Sequence, residues 1–173
     1  MKAVKTERVL QGLIGALLCV FVWVIFISLN ERVVGVGDSA PSFTVTTDNG
    51  RKLSTTDFGG KLLVLNFWAT WCQPCIEELP SLDEFQRRFA PSGVVVLGVS
   101  VDKNEKAYRA FLARTGVSFL TTRDPERKIN ADYGTFLYPE TYLIDTRGKV
   151  VQKIVGATDW GDEKMTGYVK SLL

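Results

Sequence analysis

The order of apolar runs predicts an α/β domain with a mixed sheet. Three observations carry that prediction. Leu62, Leu63, Val64 and Leu65 form a short continuous apolar run, as a buried parallel strand does, and Ile76, Leu79, Leu82, Phe85 and Phe89 follow at helical spacing. Residues 94–100 repeat the buried strand, and a second amphipathic helix follows with Ala107, Tyr108, Phe111 and Leu112 on its apolar face. Residues 140–145 and 149–155 are then two strand-like runs around Thr146, Arg147 and Gly148, which makes the last pair an antiparallel hairpin.

Taken from the N-terminus, residues 9–29 carry no charge, and Gln11 and Ser28 are their only clearly polar side chains. As a helix this run is about 31 Å long, the thickness of a bilayer's hydrocarbon core. Lys2, Lys5 and Arg8 precede it, so the positive-inside rule places residues 1–8 in the cytoplasm and the rest outside. A cleaved signal peptide would have a shorter apolar core and small residues at its cut, unlike Phe26, Ile27, Ser28 and Leu29. The reading is therefore an uncleaved anchor over 9–29 in contact with lipid, with Cys19 as a side chain of no further role. Leu18 before it is not the small residue of a lipoprotein site.

Residues 30–37 read as a tether and 38–173 as one domain of ordinary length. The charge balance, 21 Lys and Arg against 19 Asp and Glu, holds no basic run with interleaved aromatics, so nucleic acid is excluded as a partner. Phe43 to Thr46 alternates apolar with polar, and Asp48, Asn49 and Gly50 supply hairpin-turn chemistry before a returning strand at Arg51, Lys52 and Leu53. Ser54 to Phe58 suits a capped helical turn that Gly59 and Gly60 end. Asn104 caps the second amphipathic helix through Thr115, and Gly116 closes it. Lys103, Glu105, Lys106, Arg109 and Arg114 read as its solvated face. Val117 to Thr121 is a candidate short strand, and Pro125 suits the first turn of a helix towards Tyr133. A terminal helix over 159–172 takes Asp159 or Thr158 as its cap.

Between the first buried strand and its helix lie Trp71, Cys72, Gln73, Pro74 and Cys75. A dithiol at a helix N-terminus after a strand is a redox signature. There Cys72 faces unpaired N–H groups and the positive end of the helix dipole, which favour thiolate over thiol. Nucleophilicity falls with basicity, so the net gain in attack is only about threefold at pH 7. The larger benefit is a good leaving group, with Cys75 close enough to resolve a mixed disulfide without a second collision. A zinc site would normally need two more ligands, yet the chain has no histidine and its third cysteine is Cys19. A purely structural bridge over so short a loop would stabilise little.

The run Asn66, Phe67, Trp68, Ala69, Thr70, Trp71, Cys72, Gln73, Pro74, Cys75, with a later Tyr138, Pro139, Glu140, Thr141, resembles the membrane-anchored thiol–disulfide oxidoreductases of the TlpA, ResA and CcmG type. The likeness spans roughly Gly37 to the C-terminus. It implies a thioredoxin-like fold with an N-terminal β-hairpin extension and a central insertion between the second and third core strands. It also implies a reducing role on the extracytoplasmic, periplasmic side of a bacterial membrane, with no cofactor beyond the Cys72–Cys75 disulfide. Oxidised apocytochrome c or another exported protein would be the substrate, and a membrane thiol–disulfide transporter the electron donor. Gln73 and Pro74 place no cation inside the motif, which favours a reductant over a strong oxidant. The resemblance further implies a cis Tyr138–Pro139 bond facing the cysteines, with the Tyr138 backbone free to pair with a substrate strand. Trp71 would partly cover the nucleophile, Tyr138 would shape the groove, and Trp68 and Trp160 read as packing.

Asn66 departs from thioredoxin itself, which carries a buried aspartate there; an amide cannot take a proton from Cys75. Glu78, three residues beyond Cys75 on the same helix side, is the candidate base, and Glu77 points to water. Two other readings are a thioredoxin-like peroxidase and a copper-binding respiratory assembly factor. The first resembles this chain in its Ala40-Pro41-Ser42-Phe43 opening but would need a threonine three residues before its cysteine, whereas Thr70 is two before Cys72. The second uses a longer cysteine spacing and a distant histidine.

Overall fold

The computed structural model describes residues 2–29 and 33–173, with side chains described over 11–25 and 33–173. It divides into two compact units, Met1–Arg32 and Val33–Leu173. The first is the helix α1 (Lys2–Leu29), whose apolar side chains from Leu13 to Ile25 are all exposed within the chain. Among the described residues no helix is long and apolar enough to cross a membrane. The span read over 9–29 includes residues 9–10 and 26–29, whose side chains lie outside the described ones.

The second unit is built on a five-stranded sheet in the order β5-β4-β3-β6-β7. β3 (Leu62–Trp68), β4 (Val94–Ser100) and β5 (Leu120–Arg123) run parallel, while β6 (Glu140–Ile144) and β7 (Val150–Val155) run antiparallel to their neighbours. All seven residues of β3 are buried because both faces of the sheet are covered. Leu62, Val64 and Trp68 face α2 (Gln73–Phe89), meeting Leu79, Leu82, Phe85 and Phe89, with Phe111 of α3 (Glu105–Thr115) and Val169 of α5 (Glu163–Ser171) completing that layer. Leu63, Leu65 and Phe67 face the opposite way, onto Val45 and Leu53 of a separate hairpin, β1 (Thr44–Thr46) and β2 (Lys52–Ser54), and onto Tyr133 of α4 (Lys128–Tyr133). The mixed sheet, the extension and the insertion are thus as the sequence and its resemblance imply.

Several boundaries differ, each for a local reason. Val34 N–H donates to the Tyr133 carbonyl and Gly37 N–H to that of Val150, so the domain's contacts begin inside the stretch read as a tether; residues 30–32 of it lie outside the described ones. The strand expected from Val117 starts at Leu120, because Ser118 is held by Asp83 of α2 through both its N–H and its hydroxyl. Pro125 does not open α4. It sits in a turn closed by Arg127 N–H on the Asp124 carbonyl, and the Asp124 carboxylate then accepts the Lys128 and Asn130 N–H groups at the helix start. The terminal helix starts at Glu163 with Asp162 as its cap, since Asp159 instead accepts from Gly161. Ala107 is exposed, leaving Tyr108 and Phe111 as the buried residues of α3.

Candidate functional site: a dithiol at the start of α2

Cys72 is the N-cap of α2, with φ −88° and ψ 100°, and its sulfur accepts the Cys75 N–H at 3.3 Å. The two cysteines form a disulfide, their Cα atoms 5.3 Å apart. Pro74 lies in the first turn, where its missing N–H leaves no intrahelical bond unmade. Both cysteines are buried in this oxidised form, Cys72 at 6% and Cys75 at 2% exposure. Cys72 is the outer of the two.

The turn between β3 and the dithiol is fixed by a residue that sequence reasoning missed. Asp102, buried just beyond β4, accepts the Thr70 N–H at 2.8 Å and the Thr70 hydroxyl at 2.7 Å, and also the Ser100 hydroxyl at 2.7 Å. Val101 N–H on the Trp68 carbonyl adds a backbone bond. The available signal was position alone: polar residues at the C-terminal ends of adjacent parallel strands line the place where α/β sheets carry their sites.

Tyr138–Pro139 is cis, as the resemblance implies. The Tyr138 ring meets the Trp71 ring edge-on at 5.9 Å, which brings the two motifs together across 67 positions of sequence (138 minus 71). Trp71 is 61% exposed, so it flanks the disulfide more than it covers it. The Pro139 carbonyl accepts from Gly156 N–H, fixing the loop to the end of β7. On the far face Glu140 is buried against Lys153 Nζ at 2.6 Å, with the Tyr142 hydroxyl 2.7 Å from the same carboxylate oxygen.

Glu78 lies on α2 one turn beyond Cys75 and is 4% exposed. Burial pushes its carboxyl up to about 7, against the opposing pull of the Trp160 indole N–H and the Thr158 backbone. Trp160 Nε1–H donates to Glu78 Oε1 at 2.5 Å, while Oε2 has no hydrogen-bond partner. The assignment of Trp160 to packing alone is corrected by this bond; nothing in a sequence separation of 82 residues could have signalled it. Asn66 Nδ2 donates to Thr141 Oγ1 at 2.9 Å, a neutral cross-strand pair in the place of a buried acid. Glu77 is exposed and accepts from Gln73. Trp68 is fully buried. Among the described residues no group of three or more His, Cys, Asp or Glu side chains could hold a metal ion.

A disulfide at a helix N-terminus, a cis-proline loop beside it and a buried carboxyl behind it define a thioredoxin-like protein that exchanges thiols and disulfides. The chain belongs to the AhpC/TSA family, which matches residues 36–153, and it is a thiol–disulfide oxidoreductase. It is 36% identical over 143 residues to the thiol-disulfide oxidoreductase ResA of Bacillus thuringiensis (strain Al Hakam), covering 83% of this chain and 82% of that one. To the thioredoxin-like protein YneN of Bacillus subtilis (strain 168) it is 39% identical over 152 residues, covering 83% and 88%. A crystal structure from Chlorobium tepidum, of a protein proposed to be the thiol:disulfide interchange protein DsbE, superposes with a TM-score of 0.75 at 29% identity, over 80% of this chain and 98% of that one.

Proposed function

We propose that the protein is a membrane-anchored reductase of disulfides in exported proteins. Residues 1–8 lie in the cytoplasm, 9–29 span the bilayer and 38–173 work on the periplasmic side. Oxidised apocytochrome c, during cytochrome c maturation, is the favoured substrate. Support for the anchor comes from the exposed apolar side chains of α1 and the basic residues that precede them. The observation that carries the catalytic reading is the Cys72 sulfur at the N-cap of α2, held by the Cys75 N–H beside the Trp71–Tyr138 contact.

In the reducing direction, a thiolate of the membrane donor attacks the enzyme disulfide at Cys72, and Cys75 leaves. The donor's second thiol then releases reduced enzyme. The Cys72 thiolate attacks the substrate disulfide, expelling one substrate sulfur. Cys75 gives its proton to Glu78 and attacks Cys72, so that the second substrate sulfur leaves as a thiolate and two electrons have passed to the substrate. Tyr138 and Pro139 present the backbone edge on which the substrate segment lies, and Trp71 forms its wall. The peroxidase alternative is disfavoured because the Thr70 hydroxyl is committed to Asp102.

Trapping tests the proposal. Full-length Cys75→Ser in its native membrane should accumulate a mixed disulfide between Cys72 and an exported cysteine-containing protein, with a membrane-impermeant maleimide competing from the outside. Capture of cytoplasmic proteins only would overturn it.

A further inference from the structure

The loop between β7 and α5 grips α2 at two points, and both adjoin Glu78. The Trp160 indole donates to Glu78 Oε1 at 2.5 Å, and the Trp160 backbone N–H donates to Ser81 Oγ at 3.3 Å. Ser81 Oγ in turn donates to the Glu78 carbonyl at 2.9 Å. Trp160 is fully buried, its ring 5.1 Å from Phe85, so the donor cannot swing away. One carboxylate oxygen is thereby pinned, and the other is buried without a partner on the helix face that carries Cys75 one turn earlier.

We propose that Trp160 is a positioning residue for the resolving step: it orients Glu78 so that Oε2 receives the Cys75 proton. This rests on the reading of Glu78 as the proton acceptor and adds the group that aims it. In the step itself Cys72 is joined to a substrate sulfur. The Cys75 S–H proton passes to Oε2, the Cys75 sulfur bonds to the Cys72 sulfur, and the Cys72–substrate bond breaks with its electron pair on the departing thiolate. The groups that act on Glu78 are the Trp160 indole and the Thr158 backbone from the loop, with Cys75 one turn earlier on α2; no charged side chain shifts its titration. The indole bond favours the ionised form, so removing it raises the pH at which Glu78 can accept a proton.

The test uses the reduced full-length protein and one equivalent of the aromatic disulfide dithio-bis-nitrobenzoate. Attack by Cys72 releases a first nitrothiobenzoate, and resolution by Cys75 releases a second. In the wild type the rate of the second release should show an inflection near pH 7. Trp160→Phe should move that inflection up by about one unit and slow the second release about fivefold at pH 7. Benzothienylalanine at position 160, which keeps the ring and removes only the N–H, should do the same where the smaller phenylalanine disturbs the fold. Glu78→Gln should abolish the inflection, and adding Trp160→Phe to it should slow the second release no further. An unmoved inflection in the Trp160 variants, with Glu78→Gln still abolishing it, would overturn the role of Trp160 and leave Glu78 standing. Further slowing in the double variant would show that Trp160 acts by packing, which also overturns it. An inflection that survives Glu78→Gln would remove Glu78 itself.

Discussion

Glu78 is a buried carboxyl held near 7 with no charged neighbour to compensate it, and that has a consequence for stability. Its folded-state value lies above the unfolded value of 4.5, so the folded protein binds the proton more tightly. Stability is then greatest below about pH 4.5 as far as this group is concerned, falls as pH rises towards 7, and is flat beyond. The span between the two values corresponds to roughly 3 kcal/mol. Urea unfolding of the oxidised protein should therefore show lower stability at pH 8 than at pH 5 by up to about that amount, and Glu78→Gln should flatten the decline. Asp83 and Asp145 do not blur the test. Burial opposes their ionisation, but their hydrogen bonds hold both below the usual carboxylate range, so their contributions are lost only in stronger acid. Asp102 makes a second prediction at this scale. Removing an acceptor of three hydrogen bonds, one buried and two partly so, by Asp102→Ala should destabilise the protein by about 2–3 kcal/mol in urea unfolding and slow disulfide exchange, because the turn that presents Cys72 loses its fixed point.

Among the elements, β4 shows how tightly the sheet is built behind the site. A Cβ on Gly98 would lie 2.9 Å from Phe119 Cε2 and 3.0 Å from Trp68 Nε1, both in buried rings of the layer that carries the dithiol. Gly98→Ala should cost about 1–3 kcal/mol in urea unfolding by pushing those rings apart. On the other face Lys153 of β7 is the cation beside buried Glu140, which directly follows Pro139. Lys153→Met should cost about 3 kcal/mol in urea unfolding, because it leaves the buried Glu140 carboxylate without its cation. Elements with strong local signals were legible from the sequence: the apolar runs of β3 and β4, the Asn104 cap with Gly116 after it, and the Cys-x-x-Cys at its helix start. Elements set by distant partners were not. Ser118 leaves the sheet for Asp83, 35 positions away, and the loop before α5 is drawn onto α2 by Trp160, which leaves Asp162 rather than Asp159 as the cap; Asp124 delays α4 by local bonds that override the Pro125 signal. The candidate site divides the same way: Cys72, Cys75 and Glu78 stand in one local pattern, whereas Asp102 and Trp160 reach it only through the tertiary fold.

For the whole molecule, residues 33–173 form a compact unit with two cores, one on each face of a single sheet. A chain beginning at Val33 should fold, unfold cooperatively in urea, and exchange disulfides with a soluble dithiol, while losing the membrane location proposed for the full chain. All of this chemistry depends on Cys72 being the outer, reactive sulfur and Cys75 the shielded one. Limited alkylation of the reduced full-length protein with iodoacetamide at neutral pH, read by peptide mass mapping, tests it most directly. Nearly all label should fall on Cys72, with Cys75 modified only after unfolding; label on Cys75 first, or equal label on both, would show that the two sulfurs do not divide the work this way.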